Sequence, residues 1–280
     1  MKERKNGFVW LIGDTHGMIH DSMRMLDEMG KEIAKERNYE KYSIFNKNDV
    51  VGISGDAGFL WKQKQDEYES KTLGKLNKRF AFSVVFIDGN HENFQRLNAL
   101  PAVQKYGSEV GQISKNVSHL KRGHIYTING LKFFCLGGGN SMDKGFRVKN
   151  ESWWGEELVN LREKRLAEAN LAANNWQVDY VLTHVAPRNI IAETFPDFVE
   201  NPSRHSQFYD PVELYLEKLF PKISFRGWFC GHYHINRVVP KHKLRILDQD
   251  LFCLKSNQLL NLYNDAFREE YKQYLIQEVL

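Results

Sequence analysis

Short apolar runs bounded by glycine and polar residues recur along the first third of this chain. Residues 8–12, 49–53 and 83–87 are rich in β-branched and aromatic side chains, and glycine follows each run closely. This pattern is typical of buried β-strands. Residues 19–38 and 63–80 instead place apolar side chains at helical spacing in a polar background, and a short helix is expected from residue 92. Three strand–loop–helix units in succession predict parallel strands joined by right-handed crossovers.

The remainder of the chain adds antiparallel elements. Residues 125–128 and 131–136 flank Asn129-Gly130, a strong signal for a tight hairpin turn, whereas the segment before them, up to Lys121, is mixed. Helices are predicted over residues 156–174, 211–219 and from 265 onwards, and strands over 178–183, 225–231, around 238 and over 246–254. Residues 186–209 are polar and interrupted by proline, which indicates a variable loop or lid. One domain over residues 1–280 is expected, because the sequence shows neither a repeat nor a linker.

Carboxylates and histidines follow the predicted strands directly. The first strand delivers Asp14 and His16 within one short loop. Later strands deliver Asp56, Asn90 with His91, His184, and finally His232 with His234. For a single histidine a structural role would be the simpler interpretation, but five at strand ends indicate a common site, because ligands gather where parallel strands end. A mixed set of oxygen and nitrogen donors suits manganese, iron or zinc better than calcium.

Five of these segments together resemble the motifs of the calcineurin-like metallophosphoesterases. In chain order they are Gly-Asp-Thr-His-Gly (13–17), Gly-Asp (55–56), Gly-Asn-His-Glu (89–92), Thr-His (183–184) and Gly-His-Tyr-His (231–234). The resemblance implies an α/β, four-layer fold, in which two packed mixed β-sheets are flanked by helices and carry a dinuclear metal site along one edge. It also implies hydrolysis of phosphate esters by attack of a metal-bridging hydroxide. Residues 137–156 further resemble a segment of bacterial and phage members of the family. The Gly-Asn-His-Glu-Asn-Phe segment (89–94) and the glycine-rich loop (137–139) resemble, more faintly, lariat-debranching enzymes.

The same resemblance implies a role for each polar residue. It implies two sets of three ligands, one set for each divalent ion: Asp14, His16 and His234, and Asn90, His184 and His232. Asp56 would bridge the ions, because two dications about 3.5–4 Å apart repel strongly unless an anion lies between them. The implied cofactors are two divalent ions of manganese, iron or zinc. His91 would donate to a phosphate oxygen or protonate the leaving group, and Asp88 or another carboxylate would orient it.

One departure from the family pattern bears on the substrate. Members that act on phosphoproteins usually carry an arginine shortly after the second motif, but residues 57–61 contain none, and this disfavours a protein phosphatase. Another cation must then hold the outward phosphate oxygen. Arg147 accompanied by Lys144 is the first candidate, and Arg96 and Arg188 are alternatives. The competing interpretation is that Arg147 is a surface residue packed on Trp153 or Trp154.

Composition adds limits to these hypotheses. The 39 basic and 35 acidic residues leave a net charge of only +4, which permits a phosphorylated small molecule, nucleotide or phosphoprotein but does not indicate a nucleic-acid partner. Three widely spaced cysteines suggest reduced core thiols in a cytoplasmic protein, and no apolar run approaches the length of a membrane span. The alternative function is a nuclease or cyclic-nucleotide phosphodiesterase, or a protein phosphatase, which the missing arginine disfavours. A non-catalytic scaffold is disfavoured because every motif residue is present.

Overall fold

The short apolar runs form the strands of two mixed β-sheets in the computed structural model of the chain, which describes residues 7–19, 21, 24, 28, 45–196, 210–255 and 258–260. The strands in chain order are β1 (Val9–Ile12), β2 (Val50–Ile53), β3 (Ser83–Phe86), β4 (Ala102–Lys105), β5 (Ser108–Gln112), β6 (Val117–Leu120), β7 (His124–Ile128), β8 (Leu131–Leu136), β9 (Tyr180–Thr183), β10 (Gly227–Cys230), β11 (Arg237–Val239), β12 (Leu244–Ile246), β13 (Leu251–Cys253) and β14 (Gln258–Leu260). The described α-helices are α1 (Glu67–Arg79), α2 (Phe94–Asn98), α3 (Leu161–Ala173), α4 (Arg188–Thr194) and α5 (Pro211–Leu219).

Each sheet has a parallel centre and antiparallel edges. The first sheet has eight strands in the order β14-β13-β1-β2-β3-β6-β5-β4, and the second has six in the order β11-β12-β10-β9-β8-β7. Strands β1, β2, β3 and β6 run parallel to one another, as do β8, β9, β10 and β12. The prediction of two mixed sheets flanked by helices is therefore confirmed.

Alternate residues of the central strands face two different cores, because successive side chains of a strand point to opposite faces. In β1, Val9 and Leu11 belong to an apolar cluster that also contains Phe229 of β10, and this cluster fills the space between the sheets. Trp10 faces the other way and packs in a second cluster with Leu76 of α1. Both faces of the sheet are thus covered, which explains why its strands read as continuous apolar runs.

The outer face of the second sheet is covered in the same way. Val181 of β9 and Trp228 of β10 belong to a third apolar cluster, together with Leu171 of α3, Ile190 of α4 and Leu216 of α5. The order of layers is therefore helix, sheet, sheet, helix. All three cysteines of the sequence are buried free thiols. Among the helices of the described ranges, none combines the length and apolar character that a bilayer crossing requires.

The predicted hairpin is present between β7 and β8. Asn129 (φ 48°) and Gly130 (φ 81°) both adopt left-handed backbone, as the two central residues of a type I′ turn must. The predicted helix over residues 156–174 begins later, because Asn160 caps α3 and forms a reciprocal capping box with Glu163.

The main element that the pattern does not predict is the group of strands β4, β5 and β6. They lie in the segment up to Lys121 that reads as mixed. β4 is an edge strand with exposed and half-buried residues in alternation, so its apolar content is low. Helix α4 occupies the start of the predicted lid. Residues 197–209 of that loop, most of the helix predicted over 19–38 and the helix predicted from 265 lie outside the described residues.

Candidate metal centre

The candidate ligands lie in the loops that follow the parallel strands of both sheets. The first sheet supplies Asp14, His16, Asp56, Asn90 and His91, and the second supplies His184, His232 and His234. Hydrogen bonds join the two edges: the His232 N–H donates to the Asp14 carboxylate at 2.9 and 3.0 Å, and His184 Nδ1 donates to the Ser54 carbonyl oxygen at 2.9 Å. The carboxyl ends of the two sheets therefore meet at one place.

Asp14, His16 and His234 form the first group of possible metal ligands. One ligand atom of each lies within 4.8 Å of the others. The rings of His16 and His234 stack with their centroids 5.3 Å apart, and His234 Nε2 is 3.7 Å from Asp14 Oδ2. Asp14 is only 1% exposed, and burial raises its pKa to about 7. A bound cation would offset the cost of holding that carboxylate charge away from water.

Three atoms that can carry lone pairs meet in the second group. Asn90 Oδ1 lies 2.9 Å from His184 Nε2 and 3.1 Å from His232 Nδ1, and these two nitrogens are 3.2 Å apart. His184 Nδ1 lies 2.9 Å from the Ser54 carbonyl oxygen and donates to it, so in the neutral imidazole Nε2 carries a lone pair. Ligand atoms about 2.1 Å from one ion and at right angles to each other are about 3 Å apart. The spacing in this group fits a shared metal ion.

A chain of buried side chains orients the Asn90 amide. Asn90 Nδ2 donates to Ser141 Oγ at 3.0 Å, and Ser141 Oγ donates to Glu157 Oε2 at 2.7 Å. The other oxygen of Glu157 accepts the Ser141 N–H at 2.9 Å. Ser141 and Glu157 are both fully buried. Because Ser141 accepts from the amide nitrogen, the amide oxygen is directed at the two histidines.

Asp56 lies between the two groups. Its ligand atom is within 4.8 Å of those of Asp14 and His184, and its Oδ1 accepts the His91 N–H at 2.9 Å. Burial opposes ionisation of Asp56, but the positive potential of His184, His91 and His16 outweighs it and lowers its pKa. An ionised carboxylate here can contact a cation on either side.

The seven predicted ligands are thus brought together, and their donor atoms fit a pair of divalent ions. Two carboxylates, one amide oxygen and four imidazoles form a donor mixture that suits manganese, iron or zinc. The backbone is also unusual, because four of the seven ligands adopt left-handed φ values: His16 (44°), Asp56 (46°), His232 (70°) and His234 (50°). Such conformations are rare away from glycine, and they cluster at functional sites that the surrounding structure holds in place.

Glycines that precede the ligands make room for ligands from neighbouring strands. A Cβ at Gly89 would overlap the Asp56 carboxylate, and a Cβ at Gly55 would overlap the His184 ring. Gly55 also has a φ of +104°, which L side chains rarely adopt. The glycines of the Gly-Asp and Gly-Asn-His segments are therefore explained by close contact between adjacent loops.

His91 faces the cluster, and Arg147 lies against it. The His91 ring centroid is 5.9 Å from that of His16, and His91 Nε2 is 3.9 Å from Asp56 Oδ2. Arg147 Nη2 donates to His91 Nδ1 at 2.5 Å. Burial lowers the pKa of His91 and Arg147 adds to this effect, whereas Asp56 opposes it. The loop after the three glycines Gly137, Gly138 and Gly139 thus places Arg147 beside His91, where its guanidinium also pairs with Asp143 and donates to the Ser152 carbonyl oxygen at 3.3 Å.

Arg188 lines a neighbouring cavity, and Lys144 contacts another residue of its wall. Lys144 Nζ donates to Asn140 Oδ1 at 2.9 Å, and Arg188 Nη1 donates to Glu213 Oε2 at 3.1 Å. Asn140 and Arg188 line this cavity together with His232 and His234.

Arg96 is engaged elsewhere, so its predicted phosphate contact has no support in the structure. Its Nη1 and Nη2 donate to the two oxygens of Glu69 at 2.9 and 2.8 Å, and Nη1 also donates to the Lys62 carbonyl oxygen at 2.9 Å. Glu69 in turn accepts the Trp61 N–H at 2.9 Å. We therefore assign Arg96 a structural role in the loop that follows β2.

Asp88 does not orient His91 as expected. It is buried and accepts from Arg122 Nε at 2.7 Å, and it lies 2.9 Å from His119 Nε2. Burial opposes its ionisation, but Arg122 and His119 outweigh that effect and hold the pKa of Asp88 well below its usual range. Asp88 is therefore the centre of a buried ion pair behind the loop, and Arg147 and Asp56 contact His91 instead.

Three residues that contact the site have no role in the sequence-based prediction. Ser141 and Glu157 belong to no recognisable motif, so no pattern marks them. Trp61 packs against both histidines of the exposed side of the cluster, with its ring centroid 5.5 Å from His16 and 6.2 Å from His91. Its place five residues after Asp56 is the signal that could have indicated it.

The fold and the two ligand groups define a metal-dependent hydrolase built on two packed sheets. Residues 9–236 match the sequence profile of the calcineurin-like phosphoesterases, so the chain belongs to that family and is a phosphoric ester hydrolase. A solved structure similar to it is the phosphopantetheinyl hydrolase of Mycobacterium tuberculosis, with 15% identity, a TM-score of 0.38, and coverage of 87% of this chain and 88% of that one. Among proteins with curated descriptions, none matches the sequence significantly.

A pair of glycine substitutions tests whether close loop packing sets the ligand positions. Gly89→Ala would push Asp56 out of place, so we expect metal affinity to fall roughly 10–100-fold, as for other disturbances beside a metal ligand. Gly74→Ala is the control, since it lies in α1 with no atom within 4 Å of an added Cβ. This change should stabilise the fold by about 0.5–1 kcal/mol and leave metal affinity unchanged. Metal titration and thermal unfolding report both effects, and equal metal affinities in the two variants would contradict the packing explanation.

Proposed function

We propose that this chain hydrolyses phosphate esters with two divalent ions held at the joined edges of its sheets. One ion is assigned to Asp14, His16 and His234, the other to Asn90, His184 and His232, and Asp56 lies between them. The observation that carries the proposal is the meeting of Asn90 Oδ1, His184 Nε2 and His232 Nδ1 within 3.2 Å. When both histidine nitrogens carry lone pairs, as metal ligands must, the three atoms repel one another unless a cation lies among them.

The chemistry divides between the ions and the side chains. When bound, divalent ions supply Lewis-acid polarisation of the phosphate and lower the pKa of an attacking water. The protein holds the ligands rigidly: Ser54 fixes the tautomer of His184, and Ser141 fixes the amide of Asn90. Preorganisation of this kind supports catalysis because no ligand has to reorient during the reaction.

His91 and Arg147 are assigned to the substrate. His91 sits at the exposed side of Asp56, 3.9 Å away, where its ring can donate to a phosphate oxygen or to the leaving oxygen. Arg147 Nη2 lies beside it. The guanidinium also pairs with the half-exposed Asp143 carboxylate and donates to the Ser152 carbonyl oxygen, so an anionic phosphate would take the place of Asp143. Lys144 is close in sequence and supports the same loop. This arrangement supports the assignment of Arg147 as the cation that replaces the family's arginine.

We expect the substrates to be phosphorylated small molecules and nucleotides rather than phosphoproteins. The positions after Asp56 where a phosphoprotein phosphatase would carry its arginine hold Ala57, Phe59 and Leu60, all buried in the core. Hydrolysis of diesters, as in a nuclease or cyclic-nucleotide phosphodiesterase, stays the second candidate. We further propose manganese, iron or zinc as the metals, a single domain, and a cytoplasmic location.

Chelation tests the proposed function. After removal of metal the protein should bind about two ions per chain, and manganese, iron(II) or zinc should restore hydrolysis of phosphate monoesters or diesters. His184→Ala should lose the second ion, whereas His242→Ala is the matched control, because His242 bonds Glu193 instead of a cluster residue. Full turnover by verified metal-free protein would contradict the proposal.

A substitution of His91 separates binding of metal from chemistry. His91→Ala should lower turnover by roughly 10²–10⁴, the range for a lost general acid, while elemental analysis finds the metal content little changed. The loss should be larger for an alkyl ester than for a nitrophenyl ester, because a good leaving group needs less protonation. Equal losses for both esters would show that His91 contacts the phosphate and does not protonate the leaving group. Undiminished turnover of the alkyl ester would show that His91 has no role in the reaction.

A further inference from the structure

A cavity of about 440 Å³ adjoins the metal cluster on the side of the second sheet. His232 and His234 belong to both the cavity wall and the ligand groups. The cavity volume falls in the range of pockets for small organic ligands, about 300–1,000 Å³. A phosphate bound at the cluster would therefore leave the alcohol part of its ester facing this space.

Most of the cavity wall is apolar. Ile191 and Phe195 contribute from α4 and its end, Ile235 follows the last ligand, and Met142 comes from the loop after the three glycines. Ile191 belongs to the apolar core on the outer face of the second sheet, and Phe195 and Ile235 pack against it. Phe195 also lies against Tyr233, with ring centroids 6.1 Å apart. Such walls suit the faces of a planar ring better than a hydrated sugar or an amino-acid backbone.

One anchored cation interrupts the apolar wall. Arg188 lines the cavity, and its Nη1 donates to Glu213 Oε2 at 3.1 Å. Glu213 Oε1 accepts from the Tyr233 hydroxyl at 2.7 Å, and that hydroxyl accepts the Ala186 N–H at 3.1 Å. Glu213 is 4% exposed, so the pair is fixed from behind by buried groups. Arg188 therefore places a fixed positive charge at the wall of the cavity, where its planar guanidinium can face an acceptor atom of a ligand.

We propose that this cavity binds a planar heteroaromatic ring carried by the alcohol part of the phosphate ester, with Ile191, Phe195 and Ile235 on the ring faces and Arg188 donating to a ring or carbonyl acceptor. The proposal rests on the proposed function and adds the substrate class to it. It assigns Arg188 to the alcohol part of the substrate and leaves the phosphate to Arg147.

Two matched substrate pairs test the ring requirement. A nucleoside 5′-monophosphate and ribose 5-phosphate share the same primary ester and differ in the ring. For diesters, the p-nitrophenyl ester of thymidine 5′-monophosphate and ethyl p-nitrophenyl phosphate share the same leaving group. In whichever pair is hydrolysed, kcat/KM should be at least ~10-fold higher for the member that carries the nucleobase, because loss of one such contact costs about a factor of ten or more. Equal values would overturn the proposal.

Variants locate the effect in the cavity. Phe195→Ala and Arg188→Gln should each bring the ratio of the two kcat/KM values closer to one. Arg226→Gln is the control, because Arg226 forms an exposed ion pair with Asp179, and it should leave the ratio as in the unmodified protein. An unchanged ratio in both cavity variants would overturn the assignment of the ring to this cavity.

Binding separates this proposal from the proposed function. If no ester in either pair, nor bis(p-nitrophenyl) phosphate, is hydrolysed with any added divalent metal, the proposed function is wrong. Calorimetry with the same nucleoside 5′-monophosphate and ribose 5-phosphate then decides the role of the cavity. Tighter binding of the nucleotide, lost in Phe195→Ala, would support a ring site, and equal affinities would overturn it.

Discussion

The constraint that governs this structure is that buried ligand atoms lie close together although they repel one another. Asp14 and Asp56 are each 1% exposed, and the donor atoms of Asn90, His184 and His232 lie within 3.2 Å of one another. Charges and lone pairs held this closely in a protein interior cost free energy unless a cation compensates them. The strained backbone at four ligands shows that the fold maintains the arrangement against such costs.

Two features of the architecture make this arrangement possible. The parallel strands of each sheet end at the same edge, and hydrogen bonds from His232 to Asp14 and from His184 to the Ser54 carbonyl oxygen join the two edges. A second layer of buried groups then fixes the ligands themselves, as Ser141 does for Asn90. Outer partners of this kind set ligand orientation, and their loss typically costs about 10–100-fold in metal affinity. The metal centre is thus a property of the contact between two sheets.

Sequence patterns predict those elements of this protein whose local apolar or polar pattern matches their burial in the fold. Buried strands such as Val50–Ile53 read clearly because both of their faces are covered, and the Gly-Asp and Gly-Asn-His pairs mark loops packed against one another. The edge strand β4 lacks such a signal because half of its residues are exposed. Other roles depend on tertiary contacts that the sequence does not reveal. Asp88 contacts Arg122 and His119 instead of His91, and Glu157 orients Asn90 through Ser141. Such partners are distant in sequence, so no spacing rule connects them.

The central claim is that two ions lie on either side of Asp56. Anomalous scattering from crystals grown with manganese tests it most directly, because each ion gives its own peak. The account predicts two peaks about 3.5–4 Å apart, one among Asp14, His16 and His234 and the other among Asn90, His184 and His232. A single peak, or peaks that do not flank the Asp56 carboxylate, would contradict it.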